Sequence, residues 1–399
     1  MAENRTALQP PGPPPLLNWV HRNLFSGPVN SAMTIVSCVI LYAVVVGGIR
    51  WVFFGADWSP ITDQLLTYLV GQYPRHQLFR VGASLGLIAF LTGVTWGRTR
   101  GLIGPLAWTL MGFFGLLGIL PSPVLSPATR GGLLAVPALV LVGYGLGRRQ
   151  LLGQRVMAVA WLASLPIVLY LLRGFSGSAW LPGIRINLWG GLLVTMLLAV
   201  GGIILSFPFG VLLALGRRSS LPVLSFFSTA FIEIIRGVPL ISILFLFSLL
   251  VPLFLPVEMR IDRILRALVG MIVFSAAYTA ENVRGGLQAI PSGQYEAARA
   301  LGLRNVHTTV LIILPQALRL VIPAIVGQFI SLFKDTTLAA GIGVLELLQA
   351  ARSILQGTPE YLDNQAEVYI FVAVVFWIFS YSMSVASRRL EGQLGVGER

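Results

Sequence analysis

The chain has 399 residues, of which 56% are hydrophobic and 11% charged, with a formal charge of +13. Its mean hydropathy is +0.82. Soluble domains carry about a quarter charged residues, so this composition excludes one and points to an all-α polytopic membrane protein. The positive charge does not mark a nucleic-acid face. The arginines fall in small groups at the ends of apolar runs, which is the pattern of topology signals. The one cysteine, Cys38, sits inside an apolar run and offers neither a disulfide nor a metal cluster.

Residues 1–30 read as a flexible cytoplasmic tail, proline-rich from Pro10 to Pro15, with an interfacial turn around Trp19–Phe25. The first apolar run is too long for a signal peptide and lacks a small-residue cleavage site, so no cleavable signal is expected. An extension of about five spans follows over residues 31–186. Its spans are expected at about 31–54, 81–97, 101–120, 131–147 and 156–172, with a polar segment from Gly55 to Arg80 and a loop holding Trp180 and Pro182. These spans carry almost no ionisable residue and read as scaffolding.

The character changes at Asn187. Span six is expected at about 188–215. The stretch from Pro222 to Leu255 has no charged loop, yet about 34 residues of straight helix would reach roughly 50 Å against a hydrocarbon core of about 30 Å. A break at Gly237 to Pro239 is predicted, because proline removes a backbone hydrogen bond and clashes with the preceding turn. Spans eight, nine and ten are expected at about 265–283, 309–332 and 367–386. Ten spans put both termini on one side, and a modest arginine bias makes that side the cytoplasm.

Between spans eight and nine runs PSGQYEAARALGLRNVHTTVLIILP, from Pro291 to Pro315. Glu296-Ala297-Ala298, then Gly302, then Ile312, Ile313, Leu314 and Pro315 make the spacing E-A-A-x3-G-x9-I-x-L-P. Physically this is a short polar helix near residues 291–304, with alanines small enough for close approach and a glycine that frees the backbone to turn. This spacing resembles the signature of ABC importer permeases.

The resemblance extends over residues from about 187 to 390, within an expected permease domain of 187–399, through Gly190-Gly191-Leu-Leu-Val-Thr195, Phe231-Ile-Glu-Ile-Ile-Arg236-Gly-Val-Pro-Leu240, Glu281-Asn-Val-Arg284 and Leu332-Phe-Lys-Asp-Thr-Thr-Leu338. These are similar to the permease subunits of polar amino-acid ABC importers, with a five-helix type I core. The long extension looks like the larger, AapM-type permeases of general L-amino-acid importers. The resemblance implies a bacterial inner-membrane location. The partners it implies are a sister permease, two ATP-binding cassette ATPases and an external solute-binding protein, with an amino acid as substrate. It also implies that Glu296, Ala297, Ala298 and Gly302 meet the ATPase.

No cofactor is expected in this chain. It has no G-x-x-x-x-G-K-[ST] loop, so ATP and magnesium would be bound by the partner ATPases. Its three histidines, His21, His76 and His307, lie far apart in sequence and suggest no metal or catalytic group. A zwitterionic substrate needs a cation or helix N-terminus for its carboxylate and an acid or carbonyls for its ammonium, groups that broken helices supply. Arg236, the Val238 backbone and Ser242 are candidates for the first end, and Gln328 and Asp335, seven residues apart on one helix face, for the second. The competing reading pairs Glu233 with Arg236, and Lys334 with Asp335, as structural neighbours. Glu281 with Arg284 reads as structural, and so does Arg319, on carbonyls freed by prolines. Two alternatives in function remain: the same machine importing another solute such as an osmolyte, and an ion-coupled secondary amino-acid transporter. Against the second, few acids lie within spans and no internal repeat is evident. A membrane enzyme lacks a catalytic constellation.

Overall fold

The computed structural model describes residues 16–99, 101–175, 177–178, 181–256 and 261–395. Most of the proline-rich tail and Trp180 lie outside them. The described chain is helical, with only isolated bridges such as Gly71 to Trp189 and Gly191 to Glu346 in place of strands. In hydrocarbon no water pairs with the backbone, so each span closes its own hydrogen bonds.

Two compact units are present, divided between Asp57 and Trp58. The first holds α1 (Leu16–Leu24) and α2 (Pro28–Gly55). α2 buries none of its side chains within the chain, and Cys38 is exposed on it. An apolar helix with none of its side chains buried suits contact with lipid or with another chain.

The second unit begins with α3 (Leu65–Val70), α4 (Arg75–Arg98), α5 (Gly104–Ile119), α6 (Pro127–Arg148) and α7 (Gln154–Arg173). It continues with α8 (Gly191–Arg217), α9 (Pro222–Arg236), α10 (Leu240–Phe254) and α11 (Arg263–Gln288). The last elements are α12 (Ser292–Ala300), α13 (Asn305–Ile342), α14 (Leu347–Gly357) and α15 (Gln365–Leu394). Eight described helices, counting α2, are long and apolar enough to cross a membrane, and the bent pair α9–α10 makes a ninth. α5, with 16 residues, is shorter; the expected ten is reached by counting it.

The segment expected to be a polar connector, Gly55 to Arg80, is instead part of the core. Leu65, Tyr68 and Tyr73 are buried, and α4 starts earlier than expected, with Arg80 inside it and fully buried. The core runs without interruption from α3 through α5 and α6 to α8, α11, α13, α14 and α15. The Phe113 and Phe379 rings, 5.3 Å apart, join α5 to the last helix edge to face. The extension helices α4 to α7 therefore share one hydrophobic core with the permease-like half. The expected boundary near residue 187 falls inside this unit.

α4 and α6 meet through glycine. A Cβ on Gly93 would run into the Val140 carbonyl oxygen, and one on Gly97 into that of Tyr144. Reciprocally, a Cβ on Gly143 would strike the Phe90 oxygen and one on Gly147 the Val94 oxygen. Two small-x-x-x-small faces press backbone on backbone, the arrangement that lets spans associate where hydrophobic burial supplies little drive.

At α14, Glu346 is fully buried and caps the helix, its carboxylate accepting from the Leu348 and Gln349 amides at 2.8 Å each. Beside it the Leu347 amide donates to Thr195 Oγ1 at 3.0 Å, and the Gly191 amide to the Leu345 carbonyl at 2.8 Å. The Gly190–Thr195 motif thus fastens the start of α8 to this turn.

This packing makes two outcomes measurable. Gly143→Leu separates α4 from α6 and lowers the stability of the detergent-solubilised chain by about 1–3 kcal/mol, read as a fall in melting temperature. Glu346 gives a pH dependence. Burial pushes its carboxyl up to about 7, against the smaller opposing pull of the Leu348 and Gln349 amides and Arg352. A raised folded pKa means stability present below the ordinary carboxylate value and lost as pH rises through about 7. Melting temperature is therefore expected to fall between about pH 5 and pH 8, and Glu346→Gln to flatten that slope.

Candidate functional site

α12 is the helix expected from the E-A-A spacing. Pro291 precedes its first residue. It ends in a Schellman turn: the Gly302 amide bonds the Arg299 carbonyl at 2.9 Å and the Leu303 amide bonds the Ala298 carbonyl at 3.1 Å. Gly302 has φ +73°, with open space around it. Backbone conformation, not crowding, calls for glycine there.

Ala298 is buried, whereas Glu296, Ala297 and Gly302 are exposed. Ala298 therefore seats the helix on its own chain, and the other three residues of the motif face outward. Leu301 is 78% exposed beside them. Glu296 makes no ion pair or hydrogen bond among the described residues, so its carboxylate is free at this surface. The helix is held from behind. Arg218 donates to the Leu287 carbonyl at 3.0 Å and reaches Tyr295 Oη at 3.4 Å, while Gln316 Nε2 bonds Gln294 Oε1 at 3.2 Å. Tyr295 packs on a second apolar cluster that includes Ala214, Ile232, Val283 and Ala317.

Just inside this end lies a charged cluster. Glu281 on α11 accepts from Arg284 Nε at 2.9 Å and also takes its Nη2. The same carboxylate lies 3.4 Å from Arg217 Nη1 and 3.6 Å from Arg236 Nη1. Arg217 Nη2 reaches Glu233 Oε1 at 2.9 Å. Three arginines face two glutamates, so the cluster keeps an excess positive charge. It clasps the ends of α8, α9 and α11.

The structure places each residue predicted from the sequence. Arg236 ends α9, and α10 turns away at 108° after Gly237 to Pro239, so the expected break is present. The neighbours differ from those the sequence suggested. Glu233 pairs with Arg217, not with Arg236, and Arg236 pairs with Glu281, its guanidinium 5.6 Å from the Tyr278 ring centre. Helix spacing favours i,i+3 partners, but the fold brings α8 and α11 closer to these charges. Val238 follows the break half-buried, and Ser242 is exposed. Gln328 and Asp335 are half-buried on α13, and no hydrogen bond or ion pair joins them to Arg236 or Ser242 among the described residues. Lys334 and Asp335 form no ion pair with each other. Arg319 does bond a freed carbonyl, but that of Leu394 at the end of α15, not one left by its own prolines. No group of three or more His, Cys, Asp or Glu among the described residues is placed to hold a metal.

Sequence reasoning missed Arg80 and Glu346. Arg80 stood at the end of the segment read as a polar connector, and Glu346 lay between two expected spans where no element was assigned. For Glu346 the available signal was an acid one residue before an apolar helical pattern.

Residues 206–395 match the family described as binding-protein-dependent transport system inner membrane component. The chain is 37% identical over 396 residues to the inner membrane amino-acid ABC transporter permease protein YhdY of Escherichia coli (strain K12), covering 95% of this chain and 93% of that one. It is 36% identical over 427 residues to the glutamate/glutamine/aspartate/asparagine transport system permease protein BztC of Rhodobacter capsulatus, covering 98% and 97%. A solved structure described as an amino acid ABC transporter with histidines covers 51% of this chain and 92% of its own, at 28% identity and a TM-score of 0.46. A helical bundle with a broken span and a projecting E-A-A helix is the permease class of ABC transporters. Within that class the chain belongs to the amino-acid ABC transporter permeases, and it is a multi-pass membrane protein.

Because one carboxylate serves three arginines, Glu281→Gln leaves like charges together. It is expected to cost about 1–3 kcal/mol, the range for orphaning a charged partner, seen as a lower melting temperature. Glu281→Asp is expected to lose less.

Proposed function

We propose that this permease serves an ATP-driven importer of L-amino acids, paired with a sister permease, two cytoplasmic ATPases and an external solute-binding protein. The E-A-A helix carries this reading: it projects a free Glu296, Ala297 and Leu301 from the bundle while being tied to it through Tyr295 and Gln294. Its rear surface continues directly from α11, whose Glu281 grips Arg236 at the break. Displacement of α12 by an ATPase would thus reach the broken span through one rigid helix end. ATP and magnesium would be held by the ATPases, since this chain carries no phosphate loop. The arginine bias supports both termini and α12 in the cytoplasm, with the chain in a bacterial inner membrane.

For the substrate, the relatives named for amino-acid transport support an amino acid. A path past the break would use the Val238 amide and Ser242 at one side and Gln328 and Asp335 at the other. In this path Arg236 supplies positive charge that Glu281 only partly offsets, because that carboxylate also serves Arg284 and Arg217.

Co-expression with the ATPase and sister permease tests the reading. Glu296→Lys changes an exposed side chain, so folding is expected to stay intact while the ATPase no longer co-purifies and uptake in ATP-loaded proteoliposomes stops. Retention of the ATPase at the unmodified level would sink the coupling role. Gln328→Ala, in the same vesicles, is expected to raise the half-saturating amino-acid concentration about tenfold; an unchanged value removes Gln328 from the path.

A further inference from the structure

At the end of the bundle opposite α12 lies a cavity of about 800 Å³. Its walls come from both parts of the second unit. The end of α7 and the stretch after it contribute Arg173, Arg185 and Trp189, the N-cap and first turn of α11 contribute Asp262, Arg263 and Arg266, and Gly343 completes the lining. Among the described residues, four arginines and one acid line it. A fifth arginine lies directly behind the wall: Arg80 is fully buried, and a Cβ on the lining residue Gly174 would come 2.7 Å from its Nη1.

The polar groups here are donors short of acceptors. Arg80 spends Nη1 on the Pro182 carbonyl at 3.0 Å, leaving Nε and Nη2 buried with no hydrogen-bond partner among the described residues. Arg266 bonds the Ser248 carbonyl, yet its Nε is buried with no partner. Trp189 is buried, and its indole N–H is also unpaired. Arg263 gives one N–H to the Gly343 carbonyl, and Arg173 and Arg185 form no ion pair among the described residues. Among the described lining residues, Asp262 alone offsets this positive charge. Buried donors left unpaired are costly and mark a place where an acceptor belongs. An acceptor that suits several guanidiniums at once is a planar anion, which arginine binds in forked geometry.

We propose that this cavity is a binding site for small carboxylate anions, with dicarboxylic amino acids preferred over their amides. The second carboxylate gives the surplus arginines a partner that an amide cannot replace, since an amide presents donors to donors. The site is assembled jointly by the extension and the permease-like half. It stands apart from Arg236: Arg266 in its wall and Glu281, which holds Arg236, are separated by roughly 22 Å of α11. The proposal does not depend on the substrate path.

The test is binding of L-glutamate to the purified full-length chain, against L-glutamine and inorganic phosphate as probes. L-Glutamate is expected to bind at least about tenfold more tightly than L-glutamine, and more weakly at high salt. Arg173→Gln and Arg185→Gln change exposed side chains; each is expected to weaken L-glutamate binding about tenfold while elution on size exclusion stays the same. Arg185→Lys is expected to keep part of the affinity through its charge. The proposal is overturned if L-glutamate does not bind, if L-glutamine or phosphate binds as well as L-glutamate, or if Arg173→Gln and Arg185→Gln together have no effect.

Discussion

One carboxylate organises the working end of this permease. Glu281 holds Arg217 from α8, Arg236 from the end of α9 and Arg284 from its own helix. Without it the broken span would have a loose end, since Gly237 to Pro239 cannot continue the helix. Backbone interrupted at membrane depth is tolerated only where protein or a polar cavity surrounds it. The side chains of this cluster are a quarter to a half exposed. Water therefore screens each pair, and the cluster owes its strength to the number of charges it joins more than to any single bond.

That end and the opposite one differ in kind. Near α12 the arginines share two glutamates in a lattice that ties three helices together. At the far end, arginines from two separate stretches converge with one acid among them. A rigid helix, α11, connects the two. Its first turn lines the cavity, and its last turns carry Glu281 and lead into the E-A-A helix.

Much of this was legible in the sequence. The break at Gly237 to Pro239 came from length and proline chemistry, and the E-A-A helix from its spacing and from Gly302. Local rules reach neighbours three or four residues apart, and they identified Glu281 with Arg284 correctly. They failed where the partner is distant in the chain. Arg217 lies far from Glu233 in sequence, and nothing along a single helix says that α8 ends beside α9. The same limit explains Arg319, whose acceptor belongs to Leu394. Arg80 was misread for a different reason: a polar run between spans looks like a connector, but Tyr68 and Tyr73 within it are buried, and so is Arg80 in the first turns of α4.

The glycine crossing of α4 and α6 bears on how such a bundle moves. Side chains can change rotamer and let helices slide, whereas carbonyl oxygens seated on bare Cα atoms have no alternative positions to adopt. Gly93, Gly97, Gly143 and Gly147 thus make that pair a fixed bearing. Motion in the second unit must then be taken up by helices joined through side chains and breaks, and α9–α10 has both. The extension, sharing a core with the permease-like half, gives those helices a fixed neighbour to pack against.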